Sequence, residues 1–186
     1  AMLVDTGHPG QGQAILSELE SLNVAPQDVR HILLTHHDVD HTGNVAFLQQ
    51  ATGAQVWVSS IDLLYVLGQK PRTGIKQVAA WLMPADAPAQ ISAFPPENEL
   101  EGMKIVATPG HTPGHVCLLY KDVLFAGDLV VCFNGKLRLS PSFMTWNMHR
   151  LKESVRQVAD LPFRWVCPAH GAPMERGEAW EKLYEA

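Results

Sequence analysis

Little in this sequence is paired, basic, or long and apolar. Its three cysteines, Cys117, Cys132 and Cys167, are an odd number without a Cys-x-x-Cys spacing. They read as free thiols in a reducing compartment rather than as a disulfide framework or a thiolate metal site. Basic residues are not in excess: 14 Lys and Arg stand against 19 Asp and Glu, for a net charge of −5. With no basic stripe, a nucleic-acid partner is not expected. No apolar run approaches the roughly 18–20 residues that span a bilayer, and no basic-then-apolar leader opens the chain. Neither a membrane nor secretion is expected, which leaves the cytoplasm as the location.

The bulk that remains is ordinary. With 186 residues, 46% hydrophobic and 18% charged, the chain is read as one domain spanning 1–186 and large enough for a core. Strands are expected at 2–5, 29–35, 54–58, 103–108, 116–120, 123–125 and 165–167. Helices are expected at 13–22, 44–50, 60–67, 75–82, 148–161 and 178–184. The polar stretch 36–43 reads as a loop. The proline-rich stretch from about 68 to 98 reads as an irregular helical insertion or lid. The first strand starts almost at residue one, so it either lies at a sheet edge or follows strands that precede Met2 in the natural protein; Ala1 reads as an expression remnant. Strands and helices interleave, which predicts a layered α/β fold.

What stands out is histidine, nine residues in clusters with acids. Four loops that follow expected strands end in candidate metal ligands: His36, Asp38, Asp40 and His41; then His111; then Asp128; then His170. Imidazoles suit zinc, iron and related ions, and a carboxylate can bridge two cations. Gly and Pro beside each ligand allow tight turns and close approach of chains. Four His and three Asp are enough for two ions about 3.5–4 Å apart with an activated water between them.

These residues also carry a resemblance. The run Thr35-His36-His37-Asp38-Val39-Asp40-His41 and the single ligands His111, Asp128 and His170 on later loops resemble the metallo-β-lactamase superfamily, as does the opening Leu3-Val4-Asp5-Thr6-Gly7. The similarity runs over nearly the whole chain, from Leu3 to Gly171. It implies an αββα four-layer sandwich with the metals at one sheet edge. It implies one ion on His36, Asp38 and His111, a second on Asp40, His41 and His170, and Asp128 bridging them. Asp38 stands where the family's second histidine stands. The harder oxygen shifts metal preference from zinc toward manganese or iron.

The resemblance implies a metallohydrolase with two divalent ions, zinc first and manganese or iron next. Its bridging hydroxide would cleave an ester, lactone, thioester or amide of a small molecule, with Asp40 as the catalytic proton carrier. The alternative it implies is an iron-dependent oxidoreductase or dioxygenase. A glutathione thioester is disfavoured because the chain ends soon after His170, and a β-lactam because the site differs from those enzymes. Expected partners are a small-molecule substrate and, for assembly, a homodimer. Asp5 is expected to support the ligand loops, and His115 to support a ligand or to face the substrate, rather than to bind metal. His8, His31 and His149 are expected at the surface or in packing. Phe133, Phe143, Trp146, Trp81 and Met83 are candidates for a substrate pocket or for plain packing.

Overall fold

The computed structural model describes residues 1–72 and 74–184. The chain forms two compact units, Ala1–Ala93 and Phe94–Ala186. Among the described residues each unit has one principal sheet and its own apolar core.

In the first unit, β1 (Met2–Val4), β2 (His31–Leu33), β3 (Gln55–Val58) and β4 (Ile91–Ala93) form a parallel sheet in that order. The central residues Ile32, Leu33 and Leu34 are fully buried, as the middle of a parallel sheet with both faces covered requires. The helices are α1 (Gly12–Ser21), α2 (Val39–Thr42), α3 (Val45–Thr52), α4 (Leu63–Val66) and α5 (Ile75–Leu82). Leu19, Ile32, Leu34, Leu48, Val56 and Val58 head the core of this unit.

The stretch 36–43 is not all loop, because α2 forms within it; His41 N and Thr42 N both bond to Asp38 O at 3.0 Å, and Thr42 Oγ1 does so at 3.1 Å. Only Val39 in that turn is apolar, so no periodicity announced the helix. The stretch 68–98 holds the expected helix α5, but it also holds β4, which pairs in parallel with β3. The opening strand β1 lies at one edge of the sheet.

The second unit has a sheet of β5 (Glu99–Leu100), β6 (Met103–Ala107), β7 (Val116–Tyr120), β8 (Val123–Gly127), β11 (Trp165–Pro168) and β12 (Met174–Glu175). A separate hairpin joins β9 (Val130–Phe133) to β10 (Lys136–Leu139). The amphipathic helix α6 (Met148–Ala159) is capped by Asn147, whose side chain accepts from Arg150 N, and it buries Leu151, Val155 and Val158 at helical spacing.

The closing helix expected over 178–184 is instead two 3-10 turns, Gly177–Ala179 and Glu181–Leu183. Tertiary contacts override the helical periodicity there. Trp180 is fully buried and donates its indole N–H to Val155 O at 3.1 Å. Arg176 ties the segment to Ala159 O and to Glu181, and that pairing holds the Glu181 carboxyl below its ordinary range.

Candidate metal centre

Strand direction explains where the ligands lie. In the first unit β1, β2 and β3 are adjacent and parallel, so Asp5, the segment from Thr35 to His41, and Asp62 all follow strands at one sheet edge. In the second unit β7 is antiparallel to both β6 and β8, and β8 is parallel to β11. Hence β6, β8 and β11 run the same way, and His111, Asp128 and His170 all follow the same edge.

Within the first unit, a hydrogen-bond network decides which nitrogen each imidazole presents. Asp5 Oδ1 accepts from Thr35 N at 2.8 Å, and Oδ2 accepts from Thr35 Oγ1 at 2.8 Å. That hydroxyl has one proton, already given to Asp5, so at 3.0 Å it accepts from His36 Nδ1. His41 Nδ1 donates directly to Asp5 Oδ2 at 2.8 Å. In both rings Nδ1 is engaged by this network and Nε2 is the nitrogen turned away from it, the orientation a metal-binding histidine needs. Their centroids are 3.9 Å apart, and His36 and His41 are almost completely buried.

The carboxylates sit beside these rings. Asp38 Oδ2 lies 3.4 Å from His36 Nε2, and Asp40 Oδ2 lies 3.7 Å from His41 Nε2. Asp38 is buried while Asp40 is partly exposed. The far end of α2 is clamped: Thr6 N and Thr6 Oγ1 both donate to His41 O, at 2.7 and 2.8 Å. Asn44 Nδ2 donates to Thr6 O and His8 O, each at 2.6 Å. Gly43 completes the clamp, since a Cβ there would collide with the backbone of Gly7, His8 and Pro9.

His37 is directed elsewhere. Its Nδ1 is 2.9 Å from Asp62 Oδ2, its backbone N–H reaches the same oxygen at 3.1 Å, and its ring stacks on Tyr65 at 4.1 Å. Arg72 Nε donates to His37 O at 3.1 Å. Burial lowers the proton affinity of this guanidinium, against the raising effect of Asp38 and Asp62. Lys76, on α5, brings Nζ to 2.6 Å from Asp38 Oδ2.

In the second unit, Asp128 is shared between two imidazoles. Its Oδ2 lies 3.4 Å from His111 Nε2, and its Oδ1 lies 3.3 Å from His170 Nε2. His111 Nδ1 pairs with Ser140 Oγ at 2.8 Å, which leaves Nε2 on the Asp128 side. Of the two roles expected for His115, its hydrogen bonds match the one beside a candidate ligand. Its Nε2 accepts from Asp128 N at 3.0 Å, and its Nδ1 meets Thr108 Oγ1 at 2.8 Å. Thr108 in turn donates to Cys117 Sγ. Burial pushes the Cys117 thiol up to about 12, so it stays protonated and donates to Ala126 O.

Gly171 lies where a Cβ would overlap Cys132 O, and its φ is +105°. The side chain of His170 is 46% exposed, against 1% for that of His111. His149 is on the surface, His8 is exposed, and His31 accepts from Trp57 Nε1 at 3.1 Å. The aromatic candidates are not core: Phe133, Phe143, Trp146 and Trp81 are all more than half exposed.

Sequence reasoning missed Lys76, Asp62, Asn44, Thr108 and Ser140. None lies within a ligand motif except Thr108, and no spacing marks them.

The profile of the metallo-beta-lactamase superfamily matches residues 1–170. The chain is 26% identical over 200 residues to a probable metallo-hydrolase, YflN, of Bacillus subtilis, covering 93% of this chain and 76% of that one. It is 33% identical over 164 residues to a hydroxyacylglutathione hydrolase of Shewanella pealeana, covering 87% of this chain and 53% of the relative. Among solved structures, TTHA1623 in a di-iron-bound form superposes with a TM-score of 0.74 at 26% identity, over 95% of this chain and 85% of that one. The metallo-beta-lactamase SMB-1 bound to 2-mercaptoethanesulfonate gives a TM-score of 0.71 at 26% identity, over 91% and 69%. The mixed α/β class read from the sequence is the class of these structures.

Proposed function

The chain belongs to the metallo-β-lactamase superfamily and is a metal-dependent hydrolase; from that premise we propose that it cleaves an ester, lactone, thioester or amide of a small molecule at a two-ion centre. His36, Asp38 and His111 would hold one ion and Asp40, His41 and His170 the other, with Asp128 shared. The observation that carries this reading is the anchoring of His36 and His41 through Nδ1, both tied to Asp5, directly or through Thr35, with Nε2 turned away from that network. Imidazole that is only structural has no need of that arrangement, and oriented outer hydrogen bonds are what metal-bound histidine requires. The position of Asp128, one oxygen toward each of two imidazoles, supports its shared role.

When bound, the ions supply Lewis-acid activation of water and of the substrate carbonyl. The chain does the rest. Asp40, partly exposed on α2, takes the proton of the attacking water and returns it to the leaving group. Asp5 and Ser140 keep the imidazoles oriented, and His115 holds the backbone N–H of Asp128. The helix α5 packs against α2 and exposes Ile75, Val78, Trp81 and Leu82. That apolar surface beside the ligand segment supports a substrate with an apolar portion.

A panel of lactones, thioesters, phosphodiesters and β-lactams under zinc, manganese and iron tests the proposal. Carbonyl substrates should be cleaved, with loss of activity on chelation and in Asp128→Ala. Asp40→Asn should lower kcat by about 10²–10⁴-fold, the usual worth of a proton carrier. Cleavage of phosphodiesters alone, or of nothing under any metal, would refute it. The di-iron form of the solved relative favours one second reading, an iron-dependent oxidation. Anaerobic reconstitution giving tightly held iron with a visible absorption band, and no hydrolysis, would support that reading instead.

A further inference from the structure

Asp38, a member of the proposed ligand set, is paired with a cationic side chain. Its Oδ2 faces His36 Nε2 at 3.4 Å, and the same oxygen receives Lys76 Nζ at 2.6 Å. The side chains of Asp38 and Lys76 are 7% and 10% exposed, so water screens the pair little. On the other side, Asp38 Oδ1 lies 3.6 Å from His37 Nε2.

We infer that Lys76 is a tethered cation that competes with the first metal ion for Asp38 Oδ2, so that the second ion position fills first. This rests on the two-ion reading above. A metal bound to that carboxylate and to His36 Nε2 would lie about 2.0–2.2 Å from the oxygen. An ammonium already on the same oxygen would repel it at close range, in a place with little solvent. A single carboxylate oxygen cannot pair fully with both the ammonium and the ion, so each cation weakens the hold of the other on Asp38. Loading of the first position therefore requires Lys76 to withdraw.

The helix that carries Lys76 is suited to release it. The helix α5 has eight residues, none of them buried, and Ile75, Val78, Trp81 and Leu82 are each at least half exposed. Withdrawal of Lys76 disturbs no core side chain of that helix. A merely anchoring salt bridge would use the same contact but would not set metal affinity.

Metal stoichiometry and affinity, read without reference to turnover, separate the two roles. The stripped protein is titrated with zinc against a chromophoric chelator, and the metal-to-protein ratio is measured after desalting. Cobalt(II) spectra report the second binding event independently. Wild type should hold one ion tightly and a second weakly. Lys76→Met and Lys76→Gln should each tighten the weak position by roughly tenfold or more and move the retained ratio toward two, while Lys76→Arg stays like wild type. Circular dichroism checks that each variant is folded, and the two neutral variants guard against a local defect in either one. Unchanged or weaker binding at the weak position in both neutral variants would overturn the inference. Absence of any tight ion in wild type and in all variants would instead defeat the metal-centre reading beneath it.

Discussion

At Asp5 a single carboxylate receives three hydrogen bonds from ligand-bearing chain: Thr35 N, Thr35 Oγ1 and His41 Nδ1. Its φ of +59° is a left-handed conformation that Asp and Asn tolerate better than most residues. Asp5→Asn is therefore a fair test, because it keeps the shape and the backbone but replaces one acceptor oxygen with a donor. His41 Nδ1–H, or the Thr35 hydroxyl, then loses its acceptor, and an imidazole is freed to turn or change tautomer. Metal affinity should fall by about 10–100-fold, the usual effect of removing such an outer partner, and competition titration would read it. An affinity unchanged from wild type would mean that the network is incidental to metal binding. The same residue shows what can be read in advance. Asp5 was legible as a support because it ends a strand in a recognisable motif. Lys76 was not, because nothing near it in sequence points to Asp38.

Among the elements, those with strong periodicity were legible and those made by pairing were not. Gly12–Ser21 and Met148–Ala159 follow their apolar spacing closely. The strand Ile91–Ala93 has three residues among prolines and polar groups, and only its pairing with β3 defines it. The strands of the hairpin Val130–Phe133 and Lys136–Leu139 have only four residues each, and α2 has one apolar residue to mark it. The seven candidate ligands could be named in advance from their residue types and spacing, and their role as ligands is part of the proposal. The turns holding them depend on contacts distant in sequence. Gly171 is the sharpest case: Cys132 N donates to His170 O at 2.9 Å, and a Cβ on Gly171 would strike Cys132 O. Gly171→Ala should cost about 1–3 kcal/mol from overpacking and a strained φ. Because the strain falls next to His170, metal affinity should drop with it. Denaturant unfolding paired with metal titration would show both, and a variant as stable and as metal-binding as wild type would contradict the packing argument.

For the whole chain, metal binding and stability should be linked, since the clustered ligands exist only in the folded state. At metal concentrations about a thousand times Kd, the linkage is worth about 4 kcal/mol. At roughly 2–4 °C per kcal/mol for a chain of this size, Tm should rise by about 8–16 °C on loading. Calorimetry of the chelated and reloaded protein would measure it, and a Tm indifferent to metal would count against the centre. No helix among the described residues is long and apolar enough to cross a membrane, which agrees with the absence of long apolar runs in the sequence. Asp5 also bears on portability. The segment from Thr35 to Gly43 looks like a self-contained cassette, yet the carboxylate that sets its imidazoles comes from the neighbouring strand, thirty residues from Thr35. Grafting that cassette onto another scaffold would transfer the donor atoms without their orientation, so the transferable unit is the pair of strands β1 and β2 together.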